Sequence, residues 1–514
     1  MPRHGRDDCP SAREAALAAT EAGLAKVADD TSLLFERAAL LDGLGRAEEA
    51  QRAYLDLLRR APTHADGLIN LGSLLGRRGY RRAARLLYAE AIRHHPTRPA
   101  GHVNLAHLLH EAGELLAARR HYETALAHAP SLAEAHQGLA NVLDDLGEHA
   151  AARFHREQGW RGRAVVARPY RGVDAPVRVL LVISAAGGNI PTAFFLDDTV
   201  FKTTVLAAEF FAPDGKLPAH DLVLNGIGDA DRCRLALAAA ARIARASAAP
   251  VINPPARVGV TGRLKTAASL GTIAGLCVPS TARIRRAELA GPNIEGWLAA
   301  RGFAFPMLLR APGFHTGRHF MRIEALDELA VALAALPGET LLAIRLLDAR
   351  DGAGLYRKYR VMLIDGKFYP LHLAISRCWK VHYFTAEMAE NASFRAEEAR
   401  FLSDMAAVLG PRAMAALAAI RDRLGLDYAG VDFALGPAGE MLLFEANAAM
   451  AIVPPDADPR WDYRRPAIER ALAAVRRMLT GRAVGVPRAA SDQGCSFLKE
   501  RTKELFLRFP DPAP

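Results

Sequence analysis

The sequence predicts a multi-domain chain: an all-α solenoid of helical hairpins, then an α/β lobe, then an α+β domain. Three observations predict it. A 34-residue period runs through the first third, with Gly45, Gly79, Gly113 and Gly147 one period apart. Over residues 176–260, an apolar strand, a Gly-Gly turn, a second strand, an alanine-rich helix and a third strand follow in order, as in a small α/β unit. Beyond residue 340, pairs of apolar runs are joined by short Gly-containing turns, the pattern of β-hairpins. At 514 residues the chain is too long for one core, so several domains are expected.

The period dictates a pair of helices per unit. Ala50, Ala84, Ala118 and Ala152 keep phase, as do Leu71, Leu105 and Leu139, and Tyr54, Tyr88 and Tyr122. Small residues at Ala38, Gly72, Ala106 and Ala140 let two helices approach. The phased glycine turns the chain between them, and Pro62, Pro96 and Pro130 end the second helix. This pattern resembles the tetratricopeptide repeat (TPR), with about four units over residues 31–166. Within residues 1–30, an amphipathic helix over 11–28 caps the stack or starts a degenerate repeat. The resemblance implies a concave surface for a peptide or protein partner; the alternative is a homodimer through the repeats, or a brace for the next domain. His107 and His110 share a helix face but have no third ligand to make a metal site.

Composition narrows the class. With 51% hydrophobic and 24% charged residues the chain is globular. The net charge of +10 reflects an arginine-rich surface; with no basic run interleaved with aromatics, no nucleic-acid partner is expected. Cys9, Cys233, Cys277, Cys378 and Cys495 are scattered, which suits a reducing compartment and argues against a zinc ribbon. No apolar run reaches membrane-spanning length and Met1-Pro2-Arg3-His4 opens no signal-peptide core, so a cytoplasmic protein with no membrane partner is expected.

Residues 161–176 are Arg-, Pro- and Gly-rich and read as a linker. The α/β lobe over 176–260 takes its strands from 177–183, 221–225 and 251–252, with a helix near 231–248. The turn Gly187-Gly188 after the first strand lets backbone N–H groups approach an anion, a weak signal. Residues 261–482 read as the α+β domain. A strand ending at Arg310 leads into a loop carrying Gly313, Thr316 and Gly317, and 341–348 is another strand. Runs 359–365 and 368–376 form a hairpin about Asp365-Gly366-Lys367, and helices fill 394–424. The tail, 483–514, holds a short amphipathic helix over 497–509.

The chemistry concentrates in the last hairpin. Gly430-Val431-Asp432-Phe433 and Leu442-Leu443-Phe444-Glu445-Ala446-Asn447 flank the turn Gly436-Pro437-Ala438-Gly439-Glu440. Glu445 and Asn447, two apart, share a strand face, and Asp432 can meet them from the partner strand. Two carboxylates and an amide oxygen are hard donors suited to Mg²⁺. Of nine lysines in the chain, Lys358, Lys367 and Lys380 fall within 23 residues.

Together these pieces resemble the ATP-grasp superfamily over roughly residues 176–480. The most specific match is Asp432 with Glu445-Ala446-Asn447, which matches that family's Mg²⁺-ligand motif. The resemblance implies a pre-ATP-grasp lobe, an ATP-grasp catalytic domain, and ATP and Mg²⁺ as cofactors. It places Asp432, Glu445 and Asn447 on the metal, Arg360 on the transferring phosphoryl group, and Gly313, Thr316 and Gly317 in a loop over the phosphates. Ile344, Leu346 and Leu347 would line the adenine. Arg310 stands where the family usually has lysine, a planar fork for a point charge. Arg263 and Lys265 are candidates for the other phosphate contact, and Lys358, Lys380 and His382 for contacts to nucleotide or substrate. The implied activity is an ATP-dependent carboxylate–amine ligase working through an acylphosphate, with a peptide, protein or small carboxylate or amine as substrate. A phosphotransferase and a non-enzymatic repeat scaffold are the alternatives.

Overall fold

The computed structural model describes residues 10–484, apart from 292, 315, 316, 318, 383–385, 456 and 457; the tail helix predicted over 497–509 lies outside them. Helix α1 (Pro10–Leu24) leads into four hairpins. These are α2 (Thr31–Gly43) with α3 (Ala47–Arg60), α4 (Ala65–Arg77) with α5 (Arg81–His94), α6 (Pro99–Glu111) with α7 (Leu115–His128), and α8 (Ala133–Asp145) with α9 (His149–Trp160). Asp30 starts the first: the Ser32 and Leu33 N–H groups donate to its Oδ1 at 2.9 and 3.1 Å, a side-chain cap for otherwise unsatisfied donors. Gly45, Gly79, Gly113 and Gly147 turn each hairpin at φ between 75° and 88°, a left-handed backbone that a side chain resists. Ala38, Ala106 and Ala140 are fully buried, and so, nearly, are Tyr54, Tyr88 and Tyr122. A Cβ on Gly72 would lie 2.6 Å from the Tyr88 ring, so that tyrosine needs the missing side chain. The result is a TPR-like helical solenoid.

The segment read as a linker contains a strand. β1 (Val165–Ala167) pairs antiparallel with β3 (Phe201–Ala207), while β2 (Val177–Ile183) runs parallel to β3 and to β4 (Leu222–Asn225). Helix α10 (Arg234–Ala246) crosses to β5 (Val251–Ile252), giving the order β1-β3-β2-β4-β5. β3 was not legible because Lys202, Thr203 and Thr204 interrupt its apolar run. β2 and β4 are buried along most of their length, as parallel strands covered on both faces must be.

The α+β part holds two sheets. After α11 (Pro255–Val258) and α12 (Arg263–Leu270) come β6 (Leu276–Cys277), β7 (Thr281–Arg285), α13 (Arg286–Leu289) and α14 (Ile294–Ala299). β8 (Met307–Arg310), β9 (Phe320–Ile323), α15 (Leu329–Ala335) and β10 (Thr340–Arg345) complete a four-stranded sheet ordered β7-β10-β8-β9. β11 (Tyr356–Ile364) and β12 (Lys367–Ser376) then form a hairpin whose two turn residues, Asp365 and Gly366, both have positive φ, the two-residue geometry favoured by strand twist. Helices α16 (Ala392–Ser403) and α17 (Met405–Leu424) precede β13 (Tyr428–Leu435) and β14 (Met441–Asn447), and α18 (Arg465–Val484) closes the described chain. The second sheet is ordered β12-β11-β13-β14-β6.

One buried cluster runs from Leu180 and Val223 of the lobe through Leu237 to Leu417, Val431 and Phe433, so the lobe and the second sheet share a core. Asn253, fully buried, joins them. Its Nδ2 donates to the Tyr428 carbonyl at 2.7 Å and its Oδ1 accepts the Tyr428 N–H at 2.8 Å. That contact fixes the start of β13, the strand carrying Asp432. Among the described residues no single helix is long and apolar enough to cross a membrane.

Candidate active site

The antiparallel register places one polar residue from each of four neighbouring strands in a row. His372 on β12 faces Arg360 on β11, Arg360 faces Asp432 on β13, and Asp432 faces Glu445 on β14. Directly opposed residues share a face of the sheet. Gly430, which faces Asn447, would place a Cβ 2.4 Å from Met450 Sδ, so glycine there lets the chain after β14 fold back over the hairpin.

The row is held by charge. Arg360 grips Asp432 with both arms, Nε to Oδ1 at 2.6 Å and Nη2 to Oδ2 at 2.7 Å, and Lys358 Nζ lies 3.4 Å from Oδ2. Asp432 is only 3% exposed. Burial pushes its carboxyl up, but Arg360 and Lys358 outweigh that and hold it well below the usual carboxylate range. His372, beside Arg360, is pushed well down, by burial first. His382 falls to about 4 through burial, then Lys358 and Arg360, so its ring is neutral at pH 7.

Beside this row opens a cleft of about 940 Å³, its mouth included, where all three parts of the α/β and α+β region meet. Glu445, Asn447, Ile344, Leu342, Arg263, Arg310 and Gly313 are among the residues that line it. Arg263 donates to Glu445 Oε1 at 3.0 Å, and Asn447 Nδ2 donates to the same oxygen at 2.7 Å. Arg310 donates to the Phe314 carbonyl and stacks over Phe320, 5.5 Å from its centroid. Burial and the neighbouring Arg263 lower it to about 10, so two guanidinium groups share the cleft. Lys380 donates to the Phe320 carbonyl at 3.1 Å and is lowered by burial and by Arg310. It packs against Gly317, where a Cβ would meet its Cε at 2.7 Å.

Several expected residues stand elsewhere. Lys265 is exposed and donates to Gly259 O at 3.3 Å; two positions after Arg263 on one helix, it points away from the cleft. β10 ends at Arg345, so Leu346 packs against Leu308, Leu342 and Ile344 and Leu347 does not line the cleft. Thr316 lies outside the described residues. His107 and His110 face Glu111 at 3.5 Å and Asp145 at 3.0 Å. Sequence reasoning missed Asp229 and Asp231, which line the cleft from the loop after β4. Asp231 Oδ2 accepts the Arg263 N–H at 2.9 Å, and Asp229 Oδ1 accepts the Asp231 and Arg232 N–H groups, each at 2.9 Å. Their signal was position: the carboxyl end of a parallel strand is where α/β sheets hold ligands.

The donor chemistry sets what fits. Among the described residues no three His, Cys, Asp or Glu gather as a metal cage. Asp432 and Glu445 are opposed by Arg360, Lys358, Arg263 and Arg310. A divalent cation entering alone finds both carboxylates already engaged by these cations. For one carried by a polyphosphate the fit would differ, because phosphate oxygens would engage the arginines and leave the carboxylates to the metal.

No family model and no curated protein matches the chain. Solved structures resemble parts of it. They include MamA (17% identity, TM-score 0.27, covering 31% of this chain and 93% of that one) and TTC0263, a thermophilic TPR protein of Thermus thermophilus (21%, 0.27, 30% and 84%). A third is PilF of Pseudomonas aeruginosa (18%, 0.28, 29% and 68%). Scores this low carry no argument about this chain, whose repeat rests on its own helix pairs and their 34-residue period.

Proposed function

We propose that the chain is an ATP- and Mg²⁺-dependent carboxylate–amine ligase with an ATP-grasp catalytic domain, to which the TPR-like solenoid recruits a peptide, protein or carrier-bound substrate. The observation that carries this reading is the meeting, in one cleft, of a carboxylate and an amide (Glu445, Asn447) with two guanidinium groups (Arg263, Arg310), beside the Arg360–Asp432 pair. Phosphoryl transfer asks a protein for positioning and charge neutralisation, more than for covalent chemistry, and this arrangement supplies both.

Bound MgATP supplies the phosphoryl group that activates the substrate carboxylate. Glu445, Asn447 and, once released from Arg360, Asp432 would hold the magnesium. Arg263 and Arg310 hold phosphate oxygens, with the backbone around Gly313. Arg360 and Lys358, fixed by Asp432 at rest, neutralise charge as it develops on the transferred group. His382, neutral at pH 7, offers a ring nitrogen to nucleotide or substrate. Leu342 and Ile344 give the cleft an apolar lining for a nucleobase.

The test is ADP release from MgATP against paired panels of carboxylates and amines. The proposal expects release, together with phosphate, only when both members of a pair are present. A stable phosphorylated product from one substrate alone would make the chain a phosphotransferase. Nucleotide binding without turnover on any pair would leave a scaffold.

A further inference from the structure

The solenoid carries side chains that its fold does not require. In each of its last two hairpins a buried histidine faces a half-buried one: His102 of α6 with His121 of α7, and His136 of α8 with His155 of α9. One and two periods before the first pair, the same places hold Leu68 with Leu87 and Leu34 with Ala53. Leu34, Ala53 and Leu68 are buried, and Leu87 packs against the core. Aliphatic side chains therefore complete this packing. Imidazoles in their place lose hydration on burial, so the histidine pairs answer another demand.

Their geometry is that of metal ligands. Nδ1 faces Nδ1 across 3.0 Å in the first pair and 2.8 Å in the second. His102 Nε2 donates to the Pro96 carbonyl and His136 Nε2 to the Pro130 carbonyl, each at 2.9 Å. A carbonyl only accepts, so the neutral ring carries its proton on Nε2 and aims the Nδ1 lone pair at its partner. A carbonyl that fixes the far nitrogen in this way is the usual support of a ligating histidine. Burial first, and the facing histidine second, lower His121 and His155 below the ordinary imidazole value, so these rings too are neutral at pH 7. Two metal–nitrogen bonds of about 2.0–2.1 Å across such a gap meet at about 90°, narrower than the tetrahedral angle of zinc. A right angle between neighbouring nitrogens belongs to planar or octahedral ions.

We propose that each histidine pair binds one divalent ion of planar or octahedral preference, Ni²⁺ or Cu²⁺, as a clip between the two helices of its hairpin. As the ion enters, the half-buried ring moves its proton from Nδ1 to Nε2, so both Nδ1 lone pairs reach the metal and no net proton is released. Water fills the remaining positions. With two protein ligands the ion exchanges readily, unlike one in a cage of three or more, of which the described residues hold none. The proposal does not depend on the ligase reading.

The test is equilibrium dialysis of the untagged, chelator-stripped full chain against Ni²⁺. The chain's own earlier repeat suggests the variants: His102→Leu with His121→Leu, and His136→Leu with His155→Leu. Each pair of substitutions is expected to remove one equivalent of bound Ni²⁺, and all four together two, with helix content by circular dichroism unchanged. His121→Gln, at a half-buried position, is expected to remove one equivalent as well and carries the test if a leucine pair misfolds. Ni²⁺ is also expected to raise the melting midpoint of the wild type more than that of the four-leucine variant. Equal uptake by wild type and variants, or Zn²⁺ held in preference to Ni²⁺, would overturn the proposal and leave each pair as a hydrogen bond between rings. No nucleotide is present, so the result stands apart from any failure of the ligase reading.

Discussion

Asp432 is fixed less by its own strand than by what faces it. A carboxylate 3% exposed persists as an ion because Arg360 and Lys358 surround it. Removing one partner of a buried pair leaves an uncompensated charge, which costs about 3 kcal/mol. Asp432→Asn is therefore expected to lower unfolding free energy in urea by about that amount; an unchanged midpoint would mean that water reaches the pair. The Asp432, Glu445 and Asn447 set was legible because alternation along a strand shows in the sequence. The ion pair that ties up Asp432 was not, because it depends on the pairing of β11 with β13, about 70 residues apart. Lys265 shows the opposite error: nearness in sequence to Arg263 says little when a helix turns the two residues apart.

Among the elements, the solenoid was the most legible because its packing rule recurs every 34 residues. Some of its specifics depart from a mean repeat. Gly138 lies in the middle of α8, where alanine would gain about 1 kcal/mol of helix propensity. Its Cβ, however, would stand 2.2 Å from the buried Tyr122 ring, and overpacking of a core costs roughly 1–3 kcal/mol. Sterics win, so Gly138→Ala is expected to lower the melting midpoint; a rise would show that the ring can retreat. The repeats also carry two histidine pairs one period apart, His102 with His121 at 3.0 Å and His136 with His155 at 2.8 Å. Burial first, and the neighbouring histidine second, lower His121 and His155 below the ordinary imidazole value. The unfolded chain then binds these protons more tightly than the folded one. Their contribution to stability is complete above about pH 6.5 and is lost as pH falls through that value. The melting midpoint is expected to drop between about pH 7.5 and about pH 5.5, and His121→Gln with His155→Gln to flatten that drop; equal slopes in variant and wild type would contradict this. The strands divide by composition: β2 and β13 are largely apolar, whereas β1 has three residues and exists because β3 offers it an edge.

Across the whole molecule, the solenoid is tied to the α/β lobe by ion pairs. Arg232, in the turn before α10, reaches Asp144 at 3.4 Å and Asp145 at 3.3 Å, and Arg156 of α9 pairs with the same Asp144. Near the other end, Arg171 donates to the Asp42 carbonyl at 2.6 Å. Arg232→Gln is expected to loosen this junction and to speed tryptic cleavage across residues 161–176 severalfold; an unchanged rate would show that apolar contacts around Trp160 suffice. No single segment announces this docking, because its residues are drawn from separate parts of the chain and are read together only once the chain is folded. In the proposed ligase, Glu445 and its neighbours hold magnesium on a nucleotide. Calorimetric titration of ATP into wild type and Glu445→Ala, with and without Mg²⁺, tests it most directly. Mg²⁺-dependent binding to the wild type, weakened at least tenfold in the variant, is expected. ATP binding that ignores both Mg²⁺ and the substitution, or no binding by the wild type, would contradict it.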